Sequence, residues 1–133
     1  MSRRLTEHFT EDEFRCRCAR CRAYPMAHVP IARELVISLE HLRDMIASYY
    51  SDARGFDPRI FISSGYRCPA HNAMVNGVPD SWHTAGMAAD IRHAKLSPLR
   101  VAAFARSLDG SHVFSFVQRG DDYVHVDIRD DNI

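Results

Sequence analysis

The sequence predicts an α+β domain in which helices cover one face of an antiparallel sheet. Apolar residues recur at steps of three and four through residues 31–49, which indicates a helix with one buried side. Polar and apolar residues alternate through residues 123–129, which is typical of a half-buried strand. A turn at 119–122 should pair that strand with an apolar run at 112–118 as a hairpin. We expect one domain, residues 1–133, with its own core.

The first elements of the chain are predicted from helix signals. Thr10 and Glu13 have the spacing of a capping box, so a short helix should run through Phe14 and pin the N-terminus to the core. The long helix should begin near Pro30, which suits a first helical turn, and end near Ser51. Its buried stripe is predicted to comprise Ile31, Leu35, Leu39, Leu42, Ile46 and Tyr49.

Four further elements complete the predicted domain. Residues 59–64 should form a strand, and a short helix should follow at 69–75. Gly86 can adopt backbone angles that other residues avoid, so the chain can turn there and enter a strand at 87–91. A Ser-Pro pair, typical of a cap and a first helical turn, begins a helix that should extend over residues 98–108.

Composition excludes several classes of partner. The formal net charge is zero, so no overall field attracts the chain to nucleic acid. No apolar run approaches the ~20 residues that a membrane helix needs, so we expect no membrane span. The N-terminus carries charge without a following apolar segment and does not resemble a secretory signal. We therefore expect a monomer that is cytoplasmic at synthesis.

Two imidazoles and one carboxylate stand next to the predicted strands. His83 precedes Asp90 by seven residues, and His125 lies within the alternating strand. That alternation directs the valines of the strand to the core and places His125 and Asp127 on the opposite face. Catalytic zinc usually has three protein ligands and a fourth position for water, whereas structural zinc has four protein ligands. We therefore predict a catalytic Zn²⁺ bound by His83, Asp90 and His125. We interpret His93, three residues after Asp90, as an exposed strand end.

The four cysteines of the chain form a second group. Three of them lie within six residues, and the fourth is distant in sequence: Cys16, Cys18, Cys21 and Cys68. Four thiolates could bind a structural zinc that joins the N-terminal loop to the segment after Arg67. Two disulfides are an alternative, which a cytoplasmic chain disfavours, and free buried thiols are another. The loop also carries four arginines, for which a solvated surface is the expected role.

The motifs resemble those of a known family. Residues 81–90 read Ser-x-His-x-x-Gly-x-Ala-x-Asp, and a His-x-Asp follows at 125–127. This pattern is similar to the zinc D-alanyl-D-alanine carboxypeptidase and L-alanyl-D-glutamate endopeptidase family, which shares its fold with the hedgehog signalling domain. The segment 62–72 resembles the arginine segment of that family, and 9–14 resembles its N-terminal opening. The resemblance covers nearly the whole chain.

The resemblance implies roles for further residues. In this family an acid three residues before the last histidine ligand serves as general base, which here is Asp122. Asp121 is its rival, and both could instead serve only the turn. Because side chains alternate along a strand, Asp122 should lie on the face opposite His125. The turn at Gly120 could change this and bring Asp122 to the face of His125. Arg67 would steady the substrate carbonyl oxygen or a substrate carboxylate; otherwise it forms a structural salt bridge. Ser81 would bind substrate or a ligand, or else cap a turn.

The activity implied by the resemblance is zinc-dependent cleavage of peptidoglycan stem peptides. An L-alanyl-D-glutamate endopeptidase and a D-alanyl-D-alanine carboxypeptidase both fit, and the small single domain without a signal favours an endopeptidase of the phage-lysin type. Such an enzyme is made in the cytoplasm and acts on the cell wall after release. A non-catalytic zinc-containing binding module and a virion structural domain of the same fold are the alternatives.

Overall fold

A computed structural model of the chain describes residues 2–77, 81–110 and 113–129. The described helices and strands, in chain order, are a 3₁₀ helix (Glu11–Phe14), α1 (Ala19–Ala23), α2 (Arg33–Tyr49), β1 (Ile60–Ser64), α3 (Pro69–Met74), β2 (Ala88–His93), α4 (Pro98–Arg106), β3 (Phe116–Arg119) and β4 (Val124–Asp127). The strands form one sheet in the order β1-β2-β4-β3, and each neighbouring pair is antiparallel. The predicted α+β class with an antiparallel sheet is confirmed.

The register of the two central strands determines what lies on each face of the sheet. Asp90 of β2 pairs directly with His125 of β4, so both side chains lie on the same face. Val124 and Val126 of β4 are fully buried on the other face, as the alternation predicts. The expected hairpin is present, although β3 begins at Phe116 rather than at residue 112, which lies outside the described residues.

Helix α2 supplies most of one side of the core. Four members of its predicted stripe are completely buried, namely Leu35, Leu39, Leu42 and Ile46. The assignment of Tyr49 to the stripe is wrong, because that residue is 65% exposed and its ring packs edge-on against Phe104 of α4. The predicted start near Pro30 is also wrong. Ala32 is extended and donates its N–H to Gly86 O at 2.8 Å, so the chain before α2 lies against the loop of residues 81–87 instead of coiling.

The N-terminal segment is anchored to the core, as predicted. Phe9 and Phe14 are buried, and their rings lie 6.1 Å apart. The Glu13 carboxylate accepts the Thr10 N–H at 2.6 Å, which is the expected back-reaching bond of the capping box. Glu11 is also buried, and it accepts two hydrogen bonds from the Arg3 guanidinium at 2.7 and 3.1 Å.

The remaining elements follow the sequence signals, with one correction. Helices α3 and α4 lie where predicted, and Ser97 Oγ accepts the N–H of Arg100 at 3.2 Å as the cap of α4. The interpretation of His93 as exposed is wrong. Its side chain is buried, stacks on Phe56 and hydrogen-bonds through Nε2 to Asp57 O at 2.6 Å. Within the described ranges, no helix combines the length and apolar character needed to cross a membrane.

Candidate active site

A loop and two strands bring the predicted ligands together. Asp90 and His125 face each other across the β2–β4 pair, and His83 comes from the loop that leads into β2. Gly86 allows this loop to fold closely over the chain before α2. Its φ is +74°, and a Cβ at this position would lie 2.0 Å from Pro30 O. Only glycine fits here, because a side chain would meet both an unfavourable backbone conformation and a neighbouring carbonyl.

The outer nitrogens of both histidines are held by acceptors from the protein. His83 Nδ1 lies 2.8 Å from Gly65 O, so this nitrogen carries a proton and donates it to the carbonyl. His125 Nε2 lies 2.8 Å from Asp127 Oδ2, and Asp127 is fully buried. Metal-binding histidines commonly have their second ring nitrogen fixed by a carbonyl or carboxylate in this way. The inner nitrogens, Nε2 of His83 and Nδ1 of His125, are therefore available as ligands.

The inner nitrogens converge on one carboxylate oxygen. His83 Nε2 and His125 Nδ1 lie 3.2 and 3.1 Å from Asp90 Oδ1. Two ligands of a tetrahedral zinc are about 3.3 Å apart when each bond is about 2.0–2.1 Å. A lone pair facing a carboxylate at this distance is repulsive unless a proton or a cation lies between them. The donor set thus fits a zinc ion bound by His83, Asp90 and His125.

The pKa values of His125 and Asp90 also indicate that a proton or a metal ion is favoured between these side chains. Burial alone would lower the pKa of His125, but its hydrogen bonds to Asp127 and Asp90 outweigh burial and raise the pKa to about 9. Burial would raise the pKa of Asp90, and hydrogen bonds from His125 and His83 instead lower it to about 2. Without metal the site therefore holds a proton at neutral pH, and this proton must leave when a metal binds.

Arg67 lies beside this group of ligands. Its Nη2 atom is 3.8 Å from Asp90 Oδ2, and its Nη1 atom donates to Asn72 Oδ1 at 3.1 Å. Asn72 is buried on α3 and so holds the guanidinium from behind. Ser81 is also close to the ligands, and its Oγ accepts the N–H of His83 at 3.2 Å. Ser81 therefore caps the turn that carries His83, and it lines the same cavity.

A cavity of about 510 Å³ opens over the predicted ligands. Apart from the ligands, Arg67 and Ser81, the described residues that line it are Gly77, Trp82, Phe116, Gln118, Tyr123 and Arg129. Arg129 stacks on Phe116, with its guanidinium carbon 4.2 Å from the ring centroid, and forms a two-pronged ion pair with Asp127 at 2.6 and 2.9 Å. The wall of the cavity thus combines aromatic rings with fixed positive charge.

Asp122 is the predicted site residue that the structure does not bring to this cavity. Together with Asp121 it lines a separate depression on the α4 side of the sheet, alongside Val101 and Val124. Both aspartates are exposed, and the turn at Gly120 does not bring Asp122 to the face of His125. Tyr123, the next residue, lines the cavity instead. The alternation of side chains along the strand therefore extends through Asp122.

The four cysteines also come together. Their Sγ atoms all lie within 4.8 Å of one another, with Cys18 and Cys68 3.8 Å apart, and all four thiols are free. One thiolate forms readily in this cluster, since a hydrogen bond from the backbone of Cys21 leads the interactions that lower the pKa of Cys18 to about 7. A second thiolate forms with difficulty, because its neighbours and burial raise the pKa of Cys21 to about 12.

Several residues of the cavity were not identified from the sequence. The Gly65 carbonyl is a backbone group, and no side-chain pattern can reveal its contact with His83. Arg129 could have been found, because strand parity places it on the same face as His125 and Asp127. Trp82 and Tyr123 adjoin predicted site residues, but the sequence carries no separate signal for their role.

An antiparallel sheet that carries two histidines and one carboxylate in an open cavity fits a metal-dependent hydrolase of the zinc peptidase class. The family model Peptidase M15 matches residues 7–127, and the chain belongs to this family. The family implies that the protein is a zinc-dependent peptidase. A search of the curated proteins found no match.

Proposed function

We propose that this peptidase cleaves peptide bonds in the stem peptides of bacterial peptidoglycan, with Zn²⁺ bound by His83, Asp90 and His125. The observation that carries the proposal is the convergence of two inner histidine nitrogens on one oxygen of Asp90, with both outer nitrogens already engaged. The peptidoglycan substrate is supported by the resemblance of residues 81–90 and 125–127 to the wall peptidases. Bound here, zinc would polarise the scissile carbonyl and lower the pKa of a water ligand to about 7.

In the proposed reaction Arg67 stabilises negative charge on the substrate. Its guanidinium is permanently charged, lies at the cavity wall and is held by Asn72, so it is oriented before substrate arrives. The two oxygens of a peptide carbonyl in its tetrahedral form, or of a stem-peptide carboxylate, match the planar fork of an arginine. Ser81 contributes by holding the His83 turn, and it also lines the cavity.

We propose Asp122 as the proton acceptor, on the strength of its spacing from His125 in the family pattern. Its carboxylate is exposed and lies on the α4 side, so this role requires the turn at residues 120–123 to rotate toward the cavity. Asp122→Asn should keep its zinc and lose about 10²–10⁴-fold in turnover, because an amide cannot accept the proton. Asp121→Asn is the matched control and should cost far less. Normal turnover in Asp122→Asn with zinc retained would refute the assignment.

The proposed bond is the one between L-alanine and D-glutamate, with the D-alanyl-D-alanine bond as the second candidate. The enzyme would reach the wall after release from the cytoplasm and act as a monomer. Digestion of purified peptidoglycan, with products identified by mass spectrometry, distinguishes these bonds. New N-terminal glutamate indicates the endopeptidase, and free D-alanine indicates the carboxypeptidase.

The same digestion tests the zinc assignment. Chelator should abolish release of products and added zinc should restore it, while His125→Ala should remain inactive at any zinc concentration. An inactive wild type that contains zinc at the histidine site would refute the enzyme and favour a non-catalytic binding or virion domain of this fold. Full activity of His125→Ala would refute the ligand set.

A further inference from the structure

We propose that Cys16, Cys18, Cys21 and Cys68 bind a structural zinc ion that fixes the segment carrying Arg67. The sulfurs of Cys18 and Cys68 are 3.8 Å apart. Two thiolates of a tetrahedral zinc with bonds of about 2.3 Å are also about 3.8 Å apart. All four Sγ atoms lie within 4.8 Å of one another, so a small closure of the cluster gives four-coordinate geometry.

Hydrogen bonds to the sulfurs support thiolates rather than thiols. Backbone N–H groups of Cys21, Cys68 and His71 each donate to a sulfur at 3.4 Å. The His71 ring adds a contact, because its Nδ1 atom lies 3.3 Å from Cys16 Sγ. Donors directed at sulfur stabilise negative charge on it, and outer contacts of this kind hold metal ligands in place.

The charge of the surrounding loop also fits a metal site. Four thiolates and one Zn²⁺ carry a net charge of −2, which needs compensation in a partly buried site. The loop carries four arginines within eight positions, at Arg15, Arg17, Arg20 and Arg22. Arg15 and Arg17 bind Asp12 and the Ile62 carbonyl, whereas the charge of Arg22 acts on His71, which lies beside Cys16, so Arg22 is placed to compensate the cluster.

The cluster joins the N-terminal loop to the start of α3. Cys18 caps α1, and Cys68 caps α3 by accepting the N–H of His71. Cys68 follows Arg67 directly, and α3 carries Asn72, which accepts the Arg67 Nη1 bond at 3.1 Å. A zinc ion here would fix the start of α3 and thereby the direction of Arg67. This part of the inference rests on the proposed role of Arg67; the metal site itself does not.

Metal content and spectroscopy test the site without reference to activity. Wild-type protein purified under reducing conditions should contain two zinc ions per chain, and Cys18→Ser and His125→Ala should each contain one. Cobalt-substituted His125→Ala should keep the near-ultraviolet sulfur-to-cobalt charge-transfer band, whereas Cys18→Ser should lose it. In wild type, titration with a mercurial thiol reagent should release one zinc for four modified thiols.

Other outcomes would overturn the inference. One zinc in wild type that disappears completely in His125→Ala would exclude a cysteine site. Modification of four thiols without release of zinc, or a disulfide found by mass after reducing purification, would exclude it as well. Because none of these measurements uses Cys18→Ser, a failure of that variant to fold does not affect them.

A double-mutant cycle tests the positioning of Arg67 separately. Cys18→Ser should lower kcat on peptidoglycan fragments while the histidine site keeps its zinc. In an Arg67→Ala background the same change should cost almost nothing further, because the group that it misplaces is already absent. Equal losses in both backgrounds would show that the cysteines stabilise the fold without positioning Arg67. Inactivity of wild type with the cobalt band present would refute the proposed function and leave the cysteine site standing.

Discussion

Replacing Asp127 with Asn should weaken zinc binding at the histidine site by about 10–100-fold, although Asp127 is not proposed as a ligand. The Asp127 carboxylate is completely buried and has two partners, His125 Nε2 at 2.8 Å and the Arg129 guanidinium at 2.6 and 2.9 Å. The substitution keeps the shape of the side chain and removes its charge. It therefore tests the orientation of His125 without creating a cavity.

The expected loss follows from the protons that the amide carries. If the Asn NH₂ group faces His125, it donates to Nε2, and the ring proton moves to Nδ1, the atom that must bind zinc. If the amide oxygen faces His125 instead, the NH₂ group faces the Arg129 guanidinium, and two donors oppose each other. The first arrangement disfavours the competent tautomer, and the second keeps that tautomer only at the cost of the donor–donor clash. A loss of 10–100-fold in affinity corresponds to about 1.4–2.8 kcal/mol.

The measurement is competition for zinc between the protein and a fluorescent chelator at neutral pH. Circular dichroism should accompany it, because loss of a buried charge also affects the stability of the fold. Asp121→Asn is the matched control, since it makes the same chemical change at an exposed turn position outside the cavity. A folded Asp127→Asn whose zinc affinity stays within about twofold of wild type would refute the proposed role of the carboxylate.

Two predictions concern stability. Gly86→Ala should destabilise the fold by several kcal/mol, since the φ of +74° costs about 1–2 kcal/mol and the new Cβ meets Pro30 O at 2.0 Å. Gly55 has a φ of +76° and open space around it, so Gly55→Ala should show the conformational cost alone in urea unfolding. Equal losses of unfolding free energy in Gly86→Ala and Gly55→Ala would contradict the clash with Pro30. Burial would raise the pKa of Glu11, but hydrogen bonds and charge from Arg3 outweigh it and lower the pKa. Glu11→Gln should therefore lower the free energy of unfolding by about 1–3 kcal/mol at pH 7. This difference from wild type should shrink as pH falls below about 4.5, because the wild-type carboxylate then becomes protonated. A difference in unfolding free energy that does not depend on pH would contradict this.

The regular parts of the fold were predictable because each has a local signal. The alternation in 123–129 predicts the buried face of β4, and the stripe of α2 predicts four core residues that are completely buried. The predicted start of α2 is wrong because a tertiary hydrogen bond from Ala32 to Gly86 outweighs the preference of Pro30 for a first helical turn. Local propensity is a weak influence when such contacts compete with it.

The ligand set could be proposed from the sequence because residue type and spacing carry that information. The side of the sheet on which Asp122 lies could not be proposed in this way, since the conformation of a turn depends on contacts that spacing does not encode. His93 shows a further limit. A histidine at a strand end has no sequence mark that distinguishes exposure from burial, and here the carbonyl of Asp57 and the ring of Phe56 complete a buried environment around it.

The segment that leaves β1 explains why the N-terminus belongs to the site. Gly65 O fixes the His83 ring, and the Phe14 backbone packs so closely on Gly65 that an added Cβ would lie 2.7 Å from Phe14 Cα. Tyr66 N–H donates to Phe14 O at 2.8 Å, which locks the two segments together. Arg67 and Cys68 follow at once. Four consecutive residues thus contact the N-terminal 3₁₀ helix, one proposed zinc ligand, the cavity and the cysteine cluster. The core contact of Phe14 therefore supports the geometry of the proposed metal site as well as the stability of the fold.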